Sequence, residues 1–163
     1  MYHYRERVEH ADLASFEVLI GSYAQDKSKV YYGGKTIEEA DRNSFQAITA
    51  GWAKDGNHAY FDGQIVDGAD PQSLTLDAKN PKYAKDSTKV FYQGKMIPGM
   101  DPLGFTCLDS SFCKNGNQVL FMNQVVSDVD AASFAVDSCA DEFPKPPKQM
   151  LCSEPRKTHM PGA

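Results

Sequence analysis

Acidic side chains recur at fixed positions along this chain, and they are the residues whose spacing most readily suggests chemistry. A first set precedes strand-forming residues, and a second set follows it at one constant distance. The two sets are Asp26, Asp55, Asp86 and Asn115, then Asp41, Asp70, Asp101 and Asp130. Repeated carboxylates can supply the oxygen ligands that calcium requires. A calcium loop, however, needs acidic residues at several alternate positions, and no unit of this chain has them.

Local hydrogen bonding gives the same aspartates a simpler role. Asp55 lies in the segment Lys-Asp-Gly-Asn, which has the composition of a turn. Asp70 and Asp101 are each followed by Pro, as is typical of a residue that caps a helical turn. We therefore expect turns and caps at these positions, with no metal and no other cofactor.

Nucleophilic catalysis has little support in the sequence. No Ser, Cys or His lies in a recognisable motif such as G-x-S-x-G. His58 occupies a strand position that holds Lys or Gln in the other units, and Cys113 takes the place of an Ala. The sequence predicts no catalytic residues and a protein that is not an enzyme, with an enzyme of unrecognised type as the third-ranked alternative.

Four cysteines lie in the C-terminal third of the chain and do not follow the repeat. They lack the paired spacing and the neighbouring histidines of a zinc site. Their even number permits two disulfides, and the local pairing joins Cys107 to Cys113 and Cys139 to Cys152. Two other connectivities remain possible. Disulfides would favour an oxidising compartment, so we expect the periplasm or cell envelope, with the cytoplasm as the alternative.

The bulk composition is that of one globular domain. The chain has 163 residues, of which 41% are hydrophobic and 24% are charged, and its net charge is −5. Acidic and basic residues alternate, so the chain lacks the basic patch of a nucleic-acid-binding protein. It also lacks the run of about 20 apolar residues that a membrane helix needs. We therefore expect neither binding to nucleic acid nor insertion into a membrane.

The spacing of the aspartates defines a repeat of about 30 residues. Residues 1–138 are predicted to form one repeat domain, with a partial unit at 1–22 and units at 23–51, 52–82, 83–111 and 112–138, followed by a Pro-rich tail at 139–163. The link between the second and third units is two residues longer than the others. Extended backwards, the pattern places Tyr2 at the position of Tyr31. We expect that the chain begins inside an earlier unit and that a leader has been removed.

The sequence of each unit predicts a β-hairpin. In the third unit, Val-Phe-Tyr is followed by the turn pair Gln93-Gly94 and then by Lys-Met-Ile. A two-residue turn fixes the register, so that Val90 should face Ile97 and Tyr92 should face Lys95. A short capped helical turn and a third strand would complete the unit. The predicted fold is mostly β: tandem hairpin or meander repeats in a single elongated or curved sheet array.

Aromatic residues recur beside the aspartates and are the best candidates for a contact with a partner. They are Tyr31, Trp52, Tyr60 and Phe91. Aromatic side chains dominate the binding energy of many protein interfaces. The alternative is that they pack one unit against the next.

The repeat resembles that of the DKNYY family of bacterial proteins. The similarity is carried by Asp26-Lys27 with Val30-Tyr31-Tyr32, by Asp86 with Val90-Phe91-Tyr92, and by the glycines that follow. It covers residues 8–138, and the fourth unit departs from it because Asn115 replaces the aspartate. The resemblance implies a bacterial, envelope-associated protein and supplies no catalytic residues.

Proteins of this kind are similar to immunity partners encoded beside secreted antibacterial toxins. The first-ranked expectation for the function is therefore that the protein binds and neutralises a secreted toxin of the type VI kind, encoded by a neighbouring gene. A structural or surface module of the cell envelope is the alternative.

Overall fold

The computed structural model describes residue 8 and residues 11–136, and these residues form an all-β structure of sixteen strands without a helix. The strands form four antiparallel sheets of four strands each, arranged in tandem. The first sheet contains β1 (Glu17–Val18), β2 (Tyr23–Gln25), β3 (Val30–Tyr32) and β4 (Lys35–Thr36). The second contains β5 (Gln46–Ala47), β6 (Trp52–Lys54), β7 (Ala59–Phe61) and β8 (Gln64–Ile65). The third contains β9 (Thr75–Leu76), β10 (Tyr83–Lys85), β11 (Val90–Tyr92) and β12 (Lys95–Met96). The fourth contains β13 (Thr106–Cys107), β14 (Phe112–Lys114), β15 (Val119–Phe121) and β16 (Gln124–Val126).

The predicted hairpins and their register are confirmed. Tyr92 pairs with Lys95, and the amide of Ile97 donates to the carbonyl of Val90 at 2.8 Å. Both central residues of each turn have positive φ, as in Gln93 (48°) and Gly94 (75°). This is the turn type whose twist matches the twist of the flanking strands.

The hairpin turns of successive sheets lie close to one another. A Cβ on Gly63 would lie 2.6 Å from Cβ of Tyr32, and one on Gly94 would lie 2.7 Å from Cβ of Phe61. Glycine at these two positions therefore serves both the positive φ and the close approach of the neighbouring sheet.

The core is divided into layers, each between one sheet and the next. Between the first and second sheets, Tyr23 and Val30 pack against Ala53 and Tyr60. Between the second and third sheets, Trp52 packs with residues of both sheets, including Phe91. Because neighbouring residues of a strand point to opposite faces, each internal sheet contributes one face to the layer before it and the other face to the layer after it.

Two features of the predicted architecture need correction. The strands form four separate sheets, and the first strand of each sheet comes from the end of the preceding predicted unit, so the chain does not form a single sheet array. The predicted short helical turns are also wrong. At Asp41–Ser44 the amide of Ser44 donates to the carbonyl of Asp41 at 3.2 Å, which closes one turn only. Strand β5 begins at Gln46, so the segment is too short to repay the cost of starting a helix.

The longer link between the second and third units contributes to the stack. Asn80 is buried, and its Nδ2 donates to the carbonyl of Ser110 at 2.8 Å. Asp77 Oδ2 accepts the amide of Cys107 at 2.8 Å. The insertion thus joins the third sheet to the fourth. The predicted Pro-rich tail at 139–163 lies outside the described residues.

Candidate functional site

The first aspartate of each of the first three units is a buried acceptor that ties its own loop to the preceding turn. Asp55 Oδ1 accepts the amides of Asn57 at 2.7 Å and His58 at 2.6 Å. Its Oδ2 accepts the amide of Asp41 at 2.8 Å and the hydroxyl of Tyr60 at 2.7 Å. We call this arrangement the aspartate clasp, and it recurs at Asp26 with Tyr31 and, without the tyrosine, at Asp86.

The clasp holds the carboxylate ionised and the tyrosine protonated. Burial alone would raise the pKa of Asp55, but the hydrogen bonds from the Tyr60 hydroxyl and the three amides bring that pKa below its usual value. Burial, together with Asp26, raises the pKa of Tyr31 to about 12. Neither partner is poised to exchange a proton near neutral pH, so the pair is suited to stabilising the fold and not to general acid-base catalysis.

The second aspartate of each unit closes its own turn, where the sequence predicted that it would cap a helical turn. Asp41 Oδ1 accepts the amide of Asn43 at 3.1 Å, and its Oδ2 accepts the hydroxyl of Ser44 at 2.6 Å. Ser44 Oγ in turn accepts the amide of Gly56 at 3.0 Å. Within the described part of the chain, no three His, Cys, Asp or Glu side chains converge as a metal site would require.

Asn115 keeps half of the clasp. Its Oδ1 accepts the amides of Asn117 and Gln118, as the aspartates do in their own loops. Its Nδ2 is a donor, and it lies 3.4 Å from the carbonyl of Asp101 and 3.1 Å from Sδ of Met100. The amide side chain therefore reverses the polarity of the contact with the preceding turn.

The aromatic residues predicted to contact a partner lie inside the protein. Tyr31 is 1% exposed, and Trp52, Tyr60 and Phe91 are 0% exposed. Trp52 and Phe91 share one layer of the core, Tyr60 lies in the layer before it, and Tyr31 contacts Phe16 with 5.9 Å between the ring centres. In the stacked fold these side chains offer no surface to a partner. Their position is the one that the alternative interpretation, packing of one unit on the next, describes.

Two of the four cysteines lie in the core, and the other two lie outside the described residues. Cys107 and Cys113 form a disulfide between β13 and β14, and both are buried in the layer between the third and fourth sheets. In the second sheet the equivalent pair is Ala47 and Ala53. Cys139 and Cys152, predicted as the second pair, lie outside the described residues.

Two of the exposed apolar residues occupy equivalent positions on the last strands of neighbouring sheets. Strands β4, β8, β12 and β16 are each one of the two outer strands of their sheet, and β1, β5, β9 and β13 are the others. Met96 is 48% exposed and Val125 is 59% exposed, while Ile65 at the same position of the second sheet is half-buried. Each pairs with the buried middle residue of the preceding strand of its hairpin: Ile65 with Tyr60, Met96 with Phe91, and Val125 with Leu120. We call Ile65, Met96 and Val125 the edge ladder.

Shallow grooves run beside the edge ladder, between the turns of successive hairpins. The first has a volume of about 720 Å³, and its lining includes Tyr32, Lys35, Asp62 and Gln64. The second has a volume of about 670 Å³ and is lined at repeat-equivalent positions, including Phe61, Tyr92 and Lys95. The sequence carried a signal for this surface, because Ile65, Met96 and Val125 recur at one repeat position. Their exposure depends on which strand ends the sheet, and that was not predicted.

Comparison with known proteins identifies one family. The chain matches the model described as the DKNYY family in three overlapping segments, at residues 1–48, 35–95 and 83–150. Neither the curated proteins nor the solved structures contain a significant match. None of the described residues form a helix that is long and apolar enough to cross a membrane.

Proposed function

This chain belongs to the DKNYY family, and from that premise we propose that it is a non-enzymatic repeat protein that binds another protein. The specific form of the proposal is an immunity protein, which binds and neutralises a secreted bacterial toxin of the type VI kind encoded by a neighbouring gene.

The observation that carries the proposal is the edge ladder. The middle residues of the hairpin strands, such as Tyr60 and Phe91, are buried between sheets, and the clasp carboxylates already have internal partners. Met96 and Val125 by contrast face solvent at equivalent positions of neighbouring sheets. Aligned apolar side chains on an ordered array are typical of a surface that binds protein.

The disulfide supports a compartment for this function. Disulfides persist in the periplasm and outside the cell and are rare in the bacterial cytosol. Cys107 and Cys113 are directly opposite one another on paired strands and are bonded. The bond supports a location in the periplasm or cell envelope, where a toxin delivered across the outer membrane would act.

Co-production with the product of an adjacent gene tests the proposal. We expect a stable complex of defined stoichiometry in size-exclusion chromatography, and we expect growth to be restored when this chain accompanies the toxin. A catalytically inactive toxin should bind equally well, because neutralisation is by binding. If the purified pair elutes separately at micromolar concentration and growth is not restored, the immunity proposal is rejected.

A structural or surface module of the envelope is the second candidate, and the same disulfide supports it. A protein of this second kind would be found in the envelope fraction of cells that lack any toxin gene. An isolated gene with a lipid anchor would favour this module, while a gene adjacent to a large secreted effector would favour immunity.

A further inference from the structure

We propose that Asn115 is a site of spontaneous deamidation, at which the chain converts its own side-chain amide into the carboxylate that the first three units carry. Asn115 is the one asparagine, among six in the sequence, that is followed by glycine. A following glycine favours this reaction because it has no side chain to hinder its backbone nitrogen. The inference goes beyond the proposed protein-binding function and does not depend on it.

The reaction needs only water as a second reactant. The backbone nitrogen of Gly116 loses its proton and forms a bond to Cγ of Asn115. The bond from Cγ to Nδ2 then breaks, so that ammonia leaves and a cyclic imide remains. Water adds to Cγ and breaks the new bond, which leaves an aspartate and restores the main chain. Opening of the ring at its other carbonyl gives isoaspartate, in which the main chain runs through the side chain.

The attacking amide lacks the hydrogen bond that holds its equivalents in place. In each of the first three units, the amide of the residue after the clasp aspartate donates to a serine hydroxyl, at 2.9, 3.0 and 3.1 Å. The pairs are Lys27 with Ser15, Gly56 with Ser44, and Ser87 with Ser73. The fourth unit has Gly104 at the position of these serines, and glycine has no hydroxyl. Among the described residues no other group accepts the amide of Gly116, so this nitrogen is available for the attack.

The side-chain carbonyl that would be attacked is already polarised by the loop. Oδ1 of Asn115 accepts the amides of Asn117 at 2.9 Å and Gln118 at 2.8 Å, so the side chain folds back over the loop that contains Gly116. Negative charge develops on Oδ1 as the nitrogen adds to Cγ. Two donors already bonded to this oxygen would stabilise that charge.

Burial of the asparagine does not prevent the reaction. Asn115 is 4% exposed, but the attacking nitrogen belongs to the same loop and need not come from solvent. Gly116 and Asn117 are exposed, so water reaches the loop for the second step. A Cβ on Gly116 would have nothing within 4 Å, and the backbone therefore has room to move towards Cγ.

An aspartate would complete the half-formed clasp of the fourth unit. In the first three units the clasp carboxylate accepts an amide of the preceding turn, at 2.9, 2.8 and 3.0 Å. Nδ2 of Asn115 is a donor, and its contacts with the preceding turn are the carbonyl of Asp101 at 3.4 Å and Sδ of Met100 at 3.1 Å. An oxygen in place of Nδ2 would accept the amide of Asp101. Isoaspartate would instead lengthen the main chain between β14 and β15.

Ageing of the full chain tests the inference. The folded protein is held in mildly alkaline buffer, and peptide mapping by mass spectrometry follows all six asparagines with time. We expect Asn115 to convert at least about tenfold faster than the other five. The rate should rise with pH, because the attacking nitrogen must lose its proton. Labelling with isoaspartate methyltransferase distinguishes the two products. Absence of conversion at Asn115 in the folded chain, or conversion only in urea, overturns the inference.

A substitution of the attacking residue checks the mechanism. Gly116→Ala should slow the conversion of Asn115 at least about tenfold. It should not lower the urea midpoint, because the added methyl group meets no neighbour and the φ of Gly116 is not positive. An unchanged rate of conversion in this variant overturns the inference.

The second unit supplies a matched control. Lys-Asp-Gly-Asn at 54–57 and Lys-Asn-Gly-Asn at 114–117 differ at one residue, so Asp55→Asn makes the two segments identical. The amide of Gly56 is bonded to Ser44, and we therefore expect slower conversion at position 55 than at Asn115. Adding Ser44→Ala should raise the rate at position 55 about threefold to tenfold, as expected for the loss of one hydrogen bond. Equal rates with and without Ser44→Ala overturn the inference.

Circular dichroism establishes that each of these variants is folded. If Asp55→Asn does not fold, the same comparison is made in the third unit, with Asp86→Asn and Ser87→Gly before and after the addition of Ser73→Ala. In urea, where the loops are lost, the engineered site and Asn115 should convert at equal rates. A difference that persists in urea would assign the effect to sequence instead of structure and overturns the inference.

The expected product is also made directly. Asn115→Asp should raise the urea midpoint at neutral pH, and this gain should be lost as the pH falls and the carboxylate is protonated. A midpoint at neutral pH below that of the unaltered chain would overturn the completion of the fourth clasp.

Discussion

The hydroxyl of Tyr60 donates to Oδ2 of Asp55 over 2.7 Å, at a site where both side chains are buried. Because the same oxygen accepts the amide of Asp41, this pair joins the second sheet to the turn that precedes it. The clasp thus explains why an aspartate and a tyrosine recur together in the first two units.

Removing one hydroxyl from the clasp should lower stability by a small and measurable amount. Tyr60→Phe keeps the ring in the core but takes one donor from a buried carboxylate, so we expect a loss of about 1–2 kcal/mol in the free energy of unfolding. Urea denaturation monitored by circular dichroism measures it. The third unit is a natural control, since Phe91 already accompanies Asp86 there and Phe91→Tyr should not destabilise by the same mechanism. An unchanged midpoint for Tyr60→Phe would refute the role given to the clasp.

Stability should depend on pH at both ends of the range for separate reasons. The pKa values of Asp26, Asp55 and Asp86 are lowered on folding, so their contribution is complete above the ordinary value of 3.8 and is lost as the pH falls below it. The pKa of Tyr31 is raised to about 12 and that of Tyr60 is also raised. Their contribution is complete below the ordinary value of 10.0 and is lost as the pH rises above it.

Urea unfolding at fixed pH steps from 2 to 11 would show a plateau between these limits if the clasps control stability. The double change Tyr31→Phe and Tyr60→Phe should reduce the decline above pH 10 and leave most of the acidic decline in place. Part of the alkaline decline should remain, because burial also raises the pKa values of Tyr23, Tyr32 and Tyr83 to about 12. A double variant whose alkaline decline equals that of the unaltered chain would contradict the assignment.

Two glycines in equivalent turns should respond differently to alanine. Gly33 and Gly63 both have positive φ, but a Cβ on Gly33 has nothing within 4 Å, whereas one on Gly63 would lie 2.6 Å from Tyr32. We expect Gly33→Ala to cost about 1 kcal/mol, from backbone strain alone. Gly63→Ala should cost about 1–3 kcal/mol more, because the neighbouring sheet must shift. Chemical denaturation of both variants makes the comparison, and equal losses would mean that the turns are not in contact.

The disulfide should be detectable by counting thiols. The chain has four cysteines, of which Cys107 and Cys113 are bonded. We expect no more than two thiols to react with Ellman's reagent in denaturant before reduction and four after it. Four reactive thiols before reduction would refute the bond and, with it, the main support for a periplasmic location.

Replacing the bonded pair by alanines should cost stability without changing the fold. Cys107→Ala with Cys113→Ala reproduces the Ala47 and Ala53 pair of the second sheet. The two cysteines are six positions apart, and closing so short a loop is worth about 2 kcal/mol in the chain-entropy model. The circular dichroism spectrum should be unchanged, while the urea midpoint falls.

The sequence predicted most of what depends on local geometry. The period of the aspartates and the two-residue turns determine which residues pair within a hairpin, so the pairing of Tyr92 with Lys95 was correct. The division into four sheets depends on how the strand Gln46–Ala47 pairs, and Gln-Ala has no strong strand preference of its own. The helical turn was predicted from the proline that follows Asp70. The carboxylate closes this turn by itself, because Oδ1 accepts the amide of Gln72 at 3.0 Å.

The candidate surface was harder to predict because burial is a property of the stack. A single unit shows aromatics on both faces of its hairpin and gives no indication of which face a neighbour covers. Tyr60 is covered by the preceding sheet, while Met96 extends past the edge of the layer. Only the tandem packing distinguishes the two.

Trp52 provides the clearest separation between a core role and a binding role for the aromatic residues. It is fully buried, and its Nε1 has no hydrogen-bond partner among the described residues, so its contribution comes from packing. We expect Trp52→Ala to lower the free energy of unfolding by about 3–5 kcal/mol. Trp52→Phe should cost much less, because phenylalanine occupies the equivalent position at Phe112 and no hydrogen bond is lost. Under conditions where Trp52→Phe is fully folded, its affinity for the neighbouring gene product should equal that of the unaltered chain. A loss of affinity at unchanged stability would restore Trp52 to the binding surface and contradict the assignment of this residue to the core.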